Sequence, residues 1–215
     1  MIVRAVPVGA FQENAYVLLD EDGGDAVLVD PGEEGDRLLR AVASLGGTLR
    51  AIWLTHAHVD HVGGIAAVKR QAEVPVHLHP EDRPLYDGAA QQAAMFGLRM
   101  DPPPAPDREL AEGDSLRCGA LGFEVWHTPG HSPGHVTIHG QGIAFVGDCL
   151  FAGSIGRTDL PLSSPAALAR SLDRLCTLPD DTIVYSGHGP ATTIGEEKRS
   201  NPFLNGTLRL IERDR

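Results

Sequence analysis

The heptad Thr55-His56-Ala57-His58-Val59-Asp60-His61 crowds three imidazoles and a carboxylate into six positions, directly after the apolar run Leu49-Arg50-Ala51-Ile52-Trp53-Leu54. Imidazole nitrogens and carboxylate oxygens are the donors that proteins offer to divalent zinc, iron and manganese. Side chains at i and i+2 on extended backbone point the same way. His56 and His58 can therefore converge on one ion, whereas Asp60 and His61 come after a further step and need not face it. Zinc usually takes three or four protein ligands. The heptad alone thus fills two half-sites better than one whole site, and further donors are expected from elsewhere in the chain.

Three downstream stretches offer them. His131 follows Gly130 just past the strand-like run that ends at His127. Asp148 follows Gly147 at the end of the run Gly142-Ile143-Ala144-Phe145-Val146, and His188 stands between Gly187 and Gly189 beyond Thr182-Ile183-Val184-Tyr185-Ser186. All are strand-end loops, and loops at one edge of a rigid sheet are where sites are usually built. With Asp148 as a bridge, five histidines and two aspartates would give each of two ions four protein ligands. His77, His79, His127 and His139 read as surface residues or satisfied polar groups, and His135 is open between that reading and a place in the site. Cys149 follows Asp148, but alternation along the strand turns it to the other side. It reads as a small buried hydrophobe rather than a nucleophile. Tyr185 and Phe151 suit a pocket wall and a core equally.

Rigid elements must carry these loops. Met1–Val8 reads as a short strand. Ala15–Leu19 and Ala26–Val29 flank an acidic, glycine-containing turn and predict a hairpin. Residues 33–45 place Leu38, Leu39, Val42 and Leu45 at helical spacing before Gly46-Gly47. Residues 49–54 predict a buried strand, the heptad a loop, residues 64–71 a helix, and Val74–Leu78 a strand. The proline-rich stretch 101–110 reads as a stiff crossing between two half-structures. Ser115–Cys118, Phe123–Thr128, His135–Gly140 and Gly142–Asp148 read as strands. Pro165–Leu175 reads as a helix capped by Ser163 or Ser164. Residues 182–189 form a last strand and loop, and 194–212 a helix broken at Pro202. Strands followed by strand-helix alternation in each half predict two packed sheets with helices outside.

Composition narrows the functional classes. At 215 residues and 42% hydrophobic, the chain can build a full core without a staple. Cys118, Cys149 and Cys176 are odd in number and lack CxxC spacing. No disulfide framework is expected, and a reducing cytoplasm fits. No stretch approaches the roughly 18 apolar residues of a membrane helix. The net charge of -11 would repel nucleic acid and anionic membrane surfaces, so neither is expected as a partner.

Together the runs THAHVDH, TPGHSPGH, VGDCLF, GRTDLP, YSGHGP and NPFL, in this order from residue 55 to 204, resemble the metallo-β-lactamase superfamily. Within it they look most like class II glyoxalases (hydroxyacylglutathione hydrolases) in their short bacterial form. The hairpin at residues 12–32 resembles the family's as well. The resemblance implies an α+β fold, the αββα four-layer sandwich, as one domain over residues 1–215. It implies two divalent ions, zinc first and iron or manganese as alternatives. His56, His58 and His131 would hold one ion, Asp60, His61 and His188 the other, with Asp148 between them. Arg157, Thr158 and Asp159 would orient ligands or meet substrate.

The implied chemistry is hydrolysis of a small-molecule thioester. Two cations roughly 3.5–4 Å apart can share a water and bring its pKa toward neutrality. The resulting hydroxide, oriented by Asp60, would attack the thioester carbonyl. Full-length class II glyoxalases carry a further C-terminal helical region for the glutathione moiety. This sequence ends at Arg215, and Lys198, Arg199, Arg209, Arg213 and Arg215 do not align with those contacts. Two other readings share the histidine motifs: a persulfide dioxygenase with one iron held by two histidines and an aspartate, and a phosphodiesterase or nuclease, which the acidic charge disfavours.

Overall fold

The computed structural model describes residues 1–208. In chain order the first half contains β1 (Ile2–Val8), β2 (Glu13–Leu19), β3 (Asp25–Val29), α1 (Gly35–Ser44), β4 (Thr48–Trp53), α2 (Val59–Val62), α3 (Ile65–Lys69) and β5 (Val76–Leu78). A 3-10 turn at Pro80–Asp82, α4 (Arg83–Asp87), α5 (Ala89–Met95) and β6 (Arg108–Glu109) complete it. The second half contains β7 (Ser115–Cys118), β8 (Leu121–His127), β9 (Val136–Gly140), β10 (Ile143–Gly147), β11 (Leu150–Phe151), β12 (Ser154–Ile155), α6 (Pro165–Leu175), β13 (Ile183–Ser186), β14 (Thr192–Thr193) and α7 (Ile194–Ser200).

Two six-stranded sheets result, ordered β1-β2-β3-β4-β5-β6 and β14-β13-β10-β9-β8-β7. The hairpin is β2–β3, antiparallel with Tyr16 opposite Val29, and β3 through β6 run parallel. Strand alternation assigns the layers. On β2, Tyr16 and Leu18 enter the core between the sheets, while Ala15, Val17 and Leu19 pack outward with Leu38 and Val42 of α1. On β10, Ile143 and Phe145 face inward, while Ala144 and Val146 pack with Leu168, Leu172 and Leu175 of α6. The order is helix, sheet, sheet, helix: the expected αββα sandwich.

Several local readings change. The heptad is only half loop, because Val59–Val62 winds into one helical turn. The Gln92 side chain accepts from Val59 N at 2.8 Å, and His61 N donates to His58 O at 2.9 Å. The proline-rich stretch is not the crossing between halves. It leads into β6, paired parallel to β5 on the edge of the first sheet, and the crossing comes after Leu110. The turn and helices between Pro80 and Met95 have no counterpart in the sequence reading, since none exceeds seven residues. The Pro165–Leu175 helix is present, and Ser164 caps it by accepting from Ala167 N. The last helix stops at Ser200, two residues before Pro202, and positions 209–212 of that expectation lie outside the described residues. No helix among the described residues is long and apolar enough to cross a membrane.

Candidate metal centre

The extended half of the heptad and its helical half point donors in different directions. His56, His58 and His131 bring one ligand atom each to within 4.8 Å of one another, and Asp60, His61 and His188 do the same; Asp30, His56 and His61 form a third such group, whose Asp30 Oδ2 is taken by Thr55 Oγ1 and His61 Nδ1. The His58 Nδ1 and His131 Nε2 atoms face each other at 2.8 Å. His131 Nδ1 donates to the Arg157 carbonyl at 2.9 Å, which leaves a lone pair on Nε2. His56 is fixed in the same sense. Thr55 Oγ1 donates to Asp30 Oδ2 at 2.6 Å, so it accepts from His56 Nδ1 at 3.1 Å. The lone pair of His56 Nε2 is then buried with no hydrogen-bond partner among the described residues.

Asp148 lies between the clusters. Its Oδ1 is 3.4 Å from His61 Nε2, and its Oδ2 is 3.5 Å from His131 Nε2 and 3.6 Å from His188 Nε2. Asp60 Oδ2 is 3.2 Å from His188 Nε2. His61 Nε2 and Asp148 Oδ1 are both buried, and neither makes a hydrogen bond among the described residues. His56 and His61 are fully buried at the back, and the His188 side chain, 31% exposed, marks the open side.

The site sets buried carboxylates against buried imidazoles. Burial pushes His56 well below its ordinary pKa, with His61 and His58 adding to the shift, and pushes His58 down to about 3, with His131 beside it. Both imidazoles are therefore neutral donors. Burial would also depress His61, but Asp148 and Asp60 outweigh it and raise the pKa. The acids thus favour positive charge at His61. Burial works to raise Asp148 and Asp60, yet the surrounding histidines, His61 foremost, hold both below the usual carboxylate range.

Several supporting residues carried no functional signal in the sequence reading. Asp30 accepts from Thr55 N, Thr55 Oγ1 and His61 Nδ1 and so orients both His56 and His61. Glu13 is fully buried 3.7 Å from His61 Nδ1, and burial lifts its pKa well above normal. Asn14 donates its side-chain amide to Ser186 O and Gly189 O, and its backbone N to Gly187 O, tying β2 to the loop of His188. His135 does not join either donor triad. Its Nε2 accepts from Asp148 N at 3.2 Å and its Nδ1 donates to Thr128 Oγ1, so it holds the Asp148 backbone. Gly187 packs over the centre, where a Cβ would lie 2.2 Å from Asp148 Oδ1.

The comparisons bear on this geometry. A model of the metallo-β-lactamase superfamily matches residues 8–188. The chain belongs to that superfamily. Hydroxyacylglutathione hydrolase GloC from Haemophilus influenzae is 41% identical, over 95% of this chain and 99% of its own length. Among solved structures, TTHA1623 in a di-iron-bound form is 48% identical with a TM-score of 0.87, covering 94% of this chain and 100% of that one. The BLEG-1 B3 metallo-β-lactamase is 41% identical with a TM-score of 0.89, covering 95% and 100%. ETHE1 from Myxococcus xanthus is 32% identical with a TM-score of 0.82, covering 96% and 85%.

As a metallo-hydrolase of this superfamily, the chain offers nitrogen and oxygen donors only. Its three cysteines are free thiols. Cys149 is fully buried in the core under α6, and burial raises its pKa, which is no setting for a thiolate nucleophile. Tyr185 stacks on Phe145 at 5.6 Å against the core between the sheets, while the Phe151 ring lies 6.0 Å from that of His188 at the site. The Arg157 guanidinium grips Asp159 at 2.7 and 2.8 Å on the exposed surface, so Arg157 reaches the centre through its carbonyl.

Proposed function

We propose that this chain hydrolyses a thioester of the hydroxyacylglutathione class, with two divalent ions, zinc or iron, held by the strand-end loops. The carrying observation is the pair of donor triads on either side of Asp148. His56 Nε2, His61 Nε2 and Asp148 Oδ1 are buried without partners. Each unsatisfied buried group costs about 1–3 kcal/mol, so three converging ones fit a site built around cations. In this reading His56, His58 and His131 would hold one ion, Asp60, His61 and His188 the other, and Asp148, between the two groups, would contribute to both. The donor set of imidazole and carboxylate suits zinc, iron and manganese alike.

Bound there, the ions supply Lewis-acid polarisation of the carbonyl and a lowered pKa for water. The protein's own part is positional. Asp30 and Thr55 keep the lone pairs of His56 and His61 aimed inward. Asp60, with a side chain 17% exposed beside His188, is placed to orient the attacking water. Phe151 gives an apolar wall next to His188 for the substrate's arm. The leaving thiolate needs little acid help, since a thiol ionises near pH 8.5. GloC, almost wholly spanned by this chain, supports glutathione as the thiol.

The test is turnover of S-D-lactoylglutathione and other thioesters by metal-loaded protein, together with a metal count. Two ions and thioester turnover are expected. A second reading, the mononuclear-iron persulfide dioxygenase, draws on the GRTD run at residues 156–159, whose backbone carries the His131 contact. Oxygen uptake with glutathione persulfide and one iron per chain would select it.

A further inference from the structure

Asp82 lies outside both donor triads, on the 3-10 turn after β5, and is fully buried. Its carboxylate accepts three hydrogen bonds from two separate loops. Ala57 N, between His56 and His58, donates to Oδ2 at 2.9 Å. Ser132 Oγ, next to His131, donates to the same oxygen at 2.8 Å, and Gly134 N donates to Oδ1 at 2.6 Å. A Cβ on Gly134 would lie 2.5 Å from Asp82 N, so a glycine is what lets that loop close on the turn.

We propose that Asp82 is a positioning residue that sets the spacing between the His56–His58 arm and the His131 arm, and with it the affinity of the first ion alone. The proposal rests on the two-ion reading above. Three donors meet the buried carboxylate and offset part of the burial that raises its pKa. They fasten the backbone on both sides of the 2.8 Å approach of His58 to His131. None of them belongs to Asp60, His61 or His188: Asn14 holds the loop of His188, and Asp30, which holds His61 and through Thr55 also His56, supports both triads alike.

The test measures both metal dissociation constants by chelator competition, with cobalt absorption reporting ligand geometry. It compares wild type with Asp82→Asn, Ser132→Ala and Tyr86→Phe. Tyr86 donates its hydroxyl to Pro104 O from the neighbouring helix, a bond to neither loop, so its variant controls for general damage. Asp82→Asn should weaken one ion roughly 10–100-fold, the usual effect of removing a ligand's outer support. Ser132→Ala should weaken the same ion less, and Tyr86→Phe neither. The loss should persist in a His188→Ala background, where only the first triad is whole. Unchanged affinities, or equal loss at both ions, in Asp82→Asn and Ser132→Ala overturn the proposal. If Asp82→Asn does not fold, Ser132→Ala decides alone. A wild-type chain that binds fewer than two ions overturns the two-ion reading, whereas two tight ions in every variant overturn the clamp only.

Discussion

Asp148 Oδ1 stands 3.4 Å from His61 Nε2, and neither buried atom has a hydrogen-bond partner among the described residues. The two atoms face each other as a buried ion pair that lacks hydrogen-bond geometry. Asp148→Asn replaces one acceptor oxygen by an NH2 group and removes the negative charge. It should cost several kcal/mol of transition-state stabilisation, on the order of 10³-fold in kcat/KM. Metal content should fall by one ion per chain. Steady-state kinetics beside elemental analysis checks both, and full activity with intact metal content would rule out the bridging role.

Gly187 tests the same space by steric means. A methyl group there would sit 2.2 Å from Asp148 Oδ1 and 2.6 Å from His61 Cε1. Gly187→Ala should therefore disturb the donors while leaving both sheets intact. The expected result is a drop in metal content and turnover of roughly tenfold or more, with thermal unfolding of the metal-free protein shifted only a few degrees. Normal metal affinity in this variant would show that the centre is more open than the packing indicates.

Thr55→Val keeps the volume but removes the hydroxyl that links His56 Nδ1 to Asp30 Oδ2. His56 then loses the contact that fixes its tautomer. Metal affinity should fall about 10–100-fold. Isothermal titration with zinc checks it. A variant that binds zinc as tightly as wild type would show that burial alone orients the ring.

The seven residues that the fold gathers around Asp148 were readable as a group because they are histidines and aspartates in loops that follow apolar runs, several beside glycine. Two-residue periodicity made the layers readable as well, as in the opposite faces of Tyr16 and Val17. What holds the donors was not readable. Asp82 sits in a polar, proline-bounded stretch and meets Ser132 only through the fold. Asp30 follows the predicted strand Ala26–Val29 with no ligand motif around it, although its carboxylate orients two histidines. Glu13 carries no local signal at all. Such residues act across loops far apart in sequence, and a single chain's pattern does not record that proximity. The helical turn at Val59–Val62 was hidden for a related reason, since it is only four residues long and its first N–H is met by Gln92.

His135 gives a pH test that does not depend on metal. Burial and the neighbouring His131 push its pKa well below normal, so the folded protein keeps it neutral, with Nε2 accepting from Asp148 N. The unfolded chain binds a proton at this position below about pH 6.5 and the folded one does not. Unfolding therefore takes up a proton in that window, and His135 lowers stability as the pH falls beneath 6.5, by up to about 1.4 kcal/mol per pH unit. His135→Gln keeps an acceptor for Asp148 N and cannot titrate. Its stability should fall less than wild type's between about pH 7 and about pH 5, with the slope reduced by up to one proton's worth. Urea unfolding at both values with chelator present measures this. An identical pH dependence in the two proteins would mean that His135 is already charged when folded, and that the bond to Asp148 N is absent.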